Sequence, residues 1–164
     1  MRLTTHSAEE TEEFGRELAI AHPDLQDDPV VLCLAGDLGA GKTTFARGFL
    51  HGLGVTEPVR SPTYTLLELH ELEEVTALHI DLYRLHDEEE FESLGLRDWA
   101  IPNSVWLIEW PERAGNRLPP VDLILTFSVR VPVHDIEVGA VTGLGEEWLS
   151  RLKRAPVEKA PPPP

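Results

Sequence analysis

A chain of 164 residues is long enough to bury one proper core and too short for two domains of ordinary size. Its 41% hydrophobic fraction is that of a soluble globular protein, and no run of about 18 apolar residues could cross a membrane, so a cytoplasmic protein is expected. Against 14 basic residues stand 29 acidic ones; the formal charge of −15 disfavours direct, tight RNA or DNA binding except through a local patch such as Arg47, Arg60, Arg84 and Arg97.

Ser7 and Glu10 have capping-box spacing, and Phe14, Leu18 and Ala21 fall on one helical face before Pro23, so a first helix is expected over residues 8–21. "DDP" turns the chain into an apolar strand over residues 30–35, where the single cysteine, Cys33, reads as a small buried hydrophobe. "GDLGAGKTTFARG" follows, and Phe45, Phe49 and Leu53 then continue one apolar stripe until "GLGVTEP" ends the second helix. "TYTLLELHEL" and "VTALHIDLYRL" are joined by acidic residues in a hairpin pattern, and "DEEEFESLGL" opens a short helix with carboxylates in its first turn. "SVWLIEW", "VDLILTFSV" and the weaker "HDIEVGAV" are strands, and "GEEWLSRLKR" is a closing helix. The expected organisation is one domain over residues 1–154 and a disordered, proline-rich tail over 155–164. Its fold class is α/β, a three-layer P-loop NTPase domain with a mixed parallel and antiparallel sheet.

The stretch after the first apolar strand carries the chemistry. Gly36, Gly41, Lys42 and Thr43 meet G-x-x-x-x-G-K-[ST] between a strand and a helix, where that motif works. Glycines let backbone N–H groups line an anion-binding concavity, the helix N-terminus adds a positive dipole end, Lys42 reaches the β/γ-phosphates, and the Thr43 hydroxyl holds Mg²⁺. G-x-G-x-x-G is absent, which argues against a dinucleotide site. Phosphoryl chemistry also needs an acid for the metal and a group to orient the nucleophile. Asp81 and Glu109, each ending an apolar strand, are the candidates, and their ranking stays open at this point. Ser61 or Thr63 in "VRSPTYT" could sense a γ-phosphate, although an ordinary Ser-Pro turn has the same pattern. "HELEE" lacks the second histidine of a zinc pair, and His79 with Asp81 is more often a structural arrangement than a metal site. Trp99, Trp106 and Trp110 suit a core or an interface better than base stacking.

In the order "GDLGAGKTTFARGFL", "SPTYTL", "DLYRL", "LGLRDW" and "IEWPE", the chain resembles the bacterial TsaE family, the small P-loop ATPases of the pathway that makes threonylcarbamoyladenosine in tRNA. The resemblance implies an ATP- and Mg²⁺-dependent hydrolase, weak alone, that docks onto a complex of TsaD with TsaB and meets tRNA only indirectly. Carried over by motif, Gly36, Leu38, Gly39, Ala40, Gly41, Lys42, Thr43 and Thr44 would embrace the phosphates. Thr43 and Glu109 would hold the metal, Asp81 and Lys42 would be catalytic, and Trp110 would support the site. Thr11 matches a segment near the adenine. His134 stands where the family often has an arginine at the nucleotide, and a neutral imidazole lacks the fixed charge and fork of a guanidinium.

The alternative enzyme class is a small-molecule or nucleoside kinase, but no arginine-rich lid insertion is seen. A GTPase would need N-K-x-D, which is missing. A degenerate, non-catalytic adaptor is hard to reconcile with Lys42, Thr43, Asp81 and Glu109 together.

Overall fold

The computed structural model describes residues 1–24 and 26–154; the expected proline-rich tail lies outside the described residues. The elements are β1 (Arg2–Thr5), α1 (Ala8–Ile20), β2 (Val30–Gly36), α2 (Lys42–Leu53), β3 (Leu67–Glu71), β4 (Thr76–Asp81), α3 (Glu88–Ser93), β5 (Ser104–Glu109), β6 (Leu123–Arg130), β7 (Val133–Ala140) and α4 (Gly143–Arg154). Two 3₁₀ segments, Leu96–Trp99 and Pro111–Arg117, flank β5. The strands form one seven-stranded sheet in the order β1-β7-β6-β2-β5-β4-β3. β2 runs parallel to β5 and β6, and β4 parallel to β5; the edge pairs β3–β4, β6–β7 and β1–β7 are antiparallel. This is the mixed sheet expected from a P-loop strand combined with hairpins.

Central strands with both faces covered are near-continuous apolar runs, and β2 and β5 follow that rule over Val30 to Leu34 and Val105 to Ile108; Ser104 and Glu109 at the ends of β5 are buried as well. On one face, α1, α2 and α4 cover Leu32, Leu34, Leu107 and Leu125 with Phe14, Leu18, Phe45, Phe49 and Trp148. On the other, Phe91 of α3 with Leu96 and Ala114 of the 3₁₀ segments cover Val31, Cys33, Ile80, Trp106 and Ile108. Phe45 sits centrally, with ring centroids 5.6 Å from both Phe14 and Phe127, and burial of each such ring is worth about 2 kcal/mol. Cys33 is buried there, and burial pushes its thiol up to about 12, which fits the structural role expected of it.

Ser7 caps α1 by accepting from the Glu10 N–H, and the Glu10 carboxylate returns a bond to the His6 N–H at 2.7 Å. The Ser7 half is the capping box legible from the sequence; the Glu10 carboxylate accepts from the N–H one residue before the cap and not from that of Ser7 itself. β1 was not expected, because "RLTT" is too short and too polar to show a strand period. It forms by pairing with β7, where Arg2 and Thr4 bond the Asp135 carboxylate at 3.2 and 2.6 Å. Those partners, with Arg130 first, hold Asp135 far below the usual carboxylate range.

α1 and α2 meet through glycines. A Cβ on Gly48 would stand 1.9 Å from the Glu12 carbonyl oxygen, and one on Gly15 would stand 2.4 Å from that of Phe45. Both neighbours are helix backbone, so a methyl can be admitted only by separating the helices. Gly48→Ala should therefore destabilise the protein by about 3 kcal/mol, despite a gain of about 1 kcal/mol in helix propensity. Thermal unfolding followed by circular dichroism should show Tm lower by roughly 6–12 °C. An unchanged Tm would mean that the helices do not lock through this contact.

Candidate functional site

The parallel strands β2, β4 and β5 end side by side, and register places Asp81 of β4 directly opposite Glu109 of β5, which in turn pairs with Leu34 of β2. Carboxyl ends of parallel strands next to a change in strand order are where open α/β sheets bind ligands. A cleft of about 430 Å³ lies there, between the loop after β2, the start of α1 and the β6–β7 turn. Leu38, Gly39, Gly41, Lys42, Thr43, Thr44, Thr11, Asp81, Glu109 and His134 all line it. Gly36 and Ala40 do not line it: Ala40 is buried and Gly36 lies against β6. Gly36 has φ +132°, and a Cβ there would come within 2.2 Å of the Phe127 carbonyl oxygen, so β6 can lie against this position only when it carries no side chain.

Gly41, with φ 106°, is the N-cap of α2, and no side chain caps that helix. Its first N–H groups are left for a ligand, and the dipole favours an anion. The buried Lys42 ammonium donates to the Gly36 and Asp37 carbonyls at 2.6 and 2.7 Å and stands 3.9 Å over the Trp110 ring. Burial pulls Lys42 below its ordinary pKa, against the opposing pull of Glu109, Glu112, Asp81 and Asp37. An anion in the cleft would relieve that desolvation penalty. Trp110 holds its position through a left-handed backbone, φ 60°, a conformation that costs a bulky residue of order 1 kcal/mol and is stored most often at functional sites.

The two acids have different hydrogen-bond partners, and only Glu109 meets Thr43. Glu109, 1% exposed, accepts from the Thr43 hydroxyl at 3.0 Å through Oε2, and its Oε1 meets His79 Nε2 at 2.7 Å. Asp81 accepts from the Ser61 hydroxyl through Oδ2 and from the Tyr83 N–H at 2.9 Å through Oδ1. Thr43 and Glu109 thus form an oxygen-only pair at the foot of the P-loop, a donor set that suits Mg²⁺, an ion that keeps several waters and needs no all-protein cage. Among the described residues no group of three or more His, Cys, Asp or Glu side chains is placed to hold a metal. The His79 ring is directed to Glu109.

His134 Nδ1 lies 2.9 Å from the Ala40 carbonyl, so the ring braces the loop where the family resemblance implies a nucleotide contact. Thr11 is buried and bonded to Thr5 at 2.8 Å, and Thr5 pairs with His134 across β1 and β7.

A family model described as "Threonylcarbamoyl adenosine biosynthesis protein TsaE" matches residues 5–134, most of the chain. The chain belongs to the TsaE family. Among curated relatives, the tRNA threonylcarbamoyladenosine biosynthesis protein TsaE of Haemophilus influenzae is 41% identical over 138 residues, 84% of this chain and 87% of its own. Its counterpart in Treponema pallidum is 37% identical over 131 residues, 80% of this chain and 92% of its own. The crystal structure of Bacillus subtilis YdiB superposes with a TM-score of 0.76 at 30% identity, covering 94% of each chain.

This TsaE chain brings together residues that the sequence did not assign to the cleft. His6, Ser7, Ala8 and Pro132 line the cleft because β1 and the β6–β7 turn deliver them, and no local pattern announces that. Tyr83 also lines it and packs on Trp110 with ring centroids 5.0 Å apart; its place in "DLYRL", two residues after Asp81, was the available signal. Trp106 is core as expected. No helix among the described residues is long and apolar enough to cross a membrane.

Proposed function

We propose that this member of the TsaE family is an ATPase switch of tRNA threonylcarbamoyladenosine biosynthesis, acting through a complex of TsaB and TsaD. One observation carries the reading: the uncapped N-terminus of α2, buried Lys42, the Thr43–Glu109 pair and the oriented Asp81 carboxylate all converge on one cleft. The triphosphate would lie along the loop from Leu38 to Thr44, with the adenosine toward Thr11 and His134. Mg²⁺, held by Thr43 and Glu109, would neutralise charge developing on the β- and γ-phosphates. Lys42 would exchange its loop carbonyls for phosphate oxygens, strengthening its bonds from charge–dipole to charge–charge.

Asp81 would orient the attacking water toward the γ-phosphorus and accept its proton. Both of its oxygens already have donors, so the carboxylate is presented in one orientation. Ser61, bonded to Thr63 at 2.8 Å, connects this acid to the segment between α2 and β3. A γ-phosphate would compete for both hydroxyls and change the packing of that segment, which carries the exposed Tyr64. A partner reading Tyr64 and the exposed Leu38 would thereby read the nucleotide state. The acidic surface suits a protein partner better than tRNA itself.

The decisive experiment is ATP hydrolysis by the full chain, alone and with TsaB–TsaD from the same organism, with and without tRNA. Turnover should be slow alone and rise at least about 10-fold with the complex, about 1.4 kcal/mol of barrier. Unchanged turnover, together with phosphoryl transfer to a small acceptor, would favour a kinase instead.

A further inference from the structure

We propose that His79 is a positioning residue for Glu109, its ring N–H fixing the carboxylate that faces Thr43; this rests on the reading of Glu109 as a Mg²⁺ residue. His79 lies on β4, two residues before Asp81, and pairs in register with Leu107, two residues before Glu109. The side chains of His79 and Glu109 thus lie on one face of adjacent parallel strands. The ring is fully buried, and its Nε2 is 2.7 Å from Glu109 Oε1.

Three features separate this contact from ordinary core filling. The other ring nitrogen, Nδ1, is buried without a partner, so the ring directs its hydrogen-bonding to Glu109 alone. A nitrogen left unpaired in a core is a cost that an apolar side chain of similar size would avoid. Second, the two carboxylate oxygens are divided: Oε1 faces His79, and Oε2 accepts the shorter of the two Thr43 contacts at 3.0 Å. Third, among the described residues only His79 and Thr43 hydrogen-bond the Glu109 side chain. Thr43 is itself one of the pair that would hold the metal, so His79 is the hydrogen bond that comes from outside that pair. Partners of this kind fix the orientation of ligating groups, and their loss weakens metal affinity about 10- to 100-fold.

The test measures binding of a fluorescent ATP analogue to the full chain, with and without MgCl₂, for wild type, His79→Gln, His79→Asn, His79→Leu and Glu109→Gln. Gln can place an amide N–H where Nε2 stands, whereas Asn is too short to reach Glu109. His79→Asn and His79→Leu should raise the half-saturating Mg²⁺ concentration about 10-fold while metal-free affinity stays within about twofold. His79→Gln should stay close to wild type. Should His79→Leu fail to fold, the Gln and Asn variants decide alone, since both bury an amide. Equal behaviour of Gln and Asn, or parallel loss of Mg²⁺-dependent and metal-free binding, would overturn the assignment. Loss of Mg²⁺ dependence in Glu109→Gln but in no His79 variant would overturn this inference alone; intact dependence in Glu109→Gln would overturn the reading of Glu109 itself.

Discussion

Asp81→Asn should hydrolyse ATP about 10²- to 10³-fold more slowly than wild type while binding it at least as tightly. The substitution preserves shape: an amide oxygen still accepts from the Tyr83 N–H, and the amide nitrogen can donate to the Ser61 hydroxyl in place of the bond Asp81 accepts. What disappears is a carboxylate able to polarise and deprotonate a water, a contribution of about 10²–10⁴-fold where a positioned side chain makes it. Binding should tighten slightly, because one negative charge leaves a cleft that already holds Glu109 and would receive a polyanion. Single-turnover hydrolysis in the presence of TsaB–TsaD, with affinity measured separately by calorimetry, distinguishes the two effects. Wild-type turnover would remove Asp81 from its role. A parallel loss of affinity would instead assign it to nucleotide or metal binding.

Lys42→Ala should weaken ATP binding by about two orders of magnitude, about 2.8 kcal/mol at 1.4 kcal/mol per decade. The ammonium is buried and already satisfied by the Gly36 and Asp37 carbonyls at 2.6 and 2.7 Å, so nucleotide gains only the difference between carbonyl and phosphate acceptors. That difference is large because the phosphate is charged and the site is partly shielded from water. Lys42→Arg should not restore affinity. A planar guanidinium does not fit the compact space between the loop carbonyls and the Trp110 ring, which the ammonium approaches to 3.9 Å. Calorimetric titration with ATP checks affinity, and the Trp110 environment should register the loss through intrinsic fluorescence. Affinity within about threefold of wild type would leave Lys42 as a brace of the free loop only.

The P-loop was legible because its chemistry is local. Gly36, Gly41, Lys42 and Thr43 occupy consecutive turns of one strand–loop–helix unit, and each residue type is dictated by what its own backbone must do. The acids were half legible. Asp81 and Glu109 showed themselves as carboxylates ending apolar strands, but residue spacing cannot say which one meets Thr43. That was decided by strand order: β5 lies next to β2, so Glu109 reaches the P-loop helix, while β4 stands one strand further out and leaves Asp81 with Ser61.

β1 and everything it brings to the cleft were illegible, because a strand of four residues carries no period and exists only through its pairing with β7. His79 belongs with it: in sequence it is a histidine two residues before an aspartate, and only the parallel pairing of β4 with β5 turns it toward Glu109. By itself, then, the sequence determined the phosphate loop, the alternation of strands and helices and the choice of candidate acids, since these depend on neighbours within one or two turns of chain. The tertiary structure alone decided the partner of each acid, the bracing role of His134 and the wall of the cleft built from β1, since these depend on contacts between residues distant in sequence whose pairing no local pattern encodes.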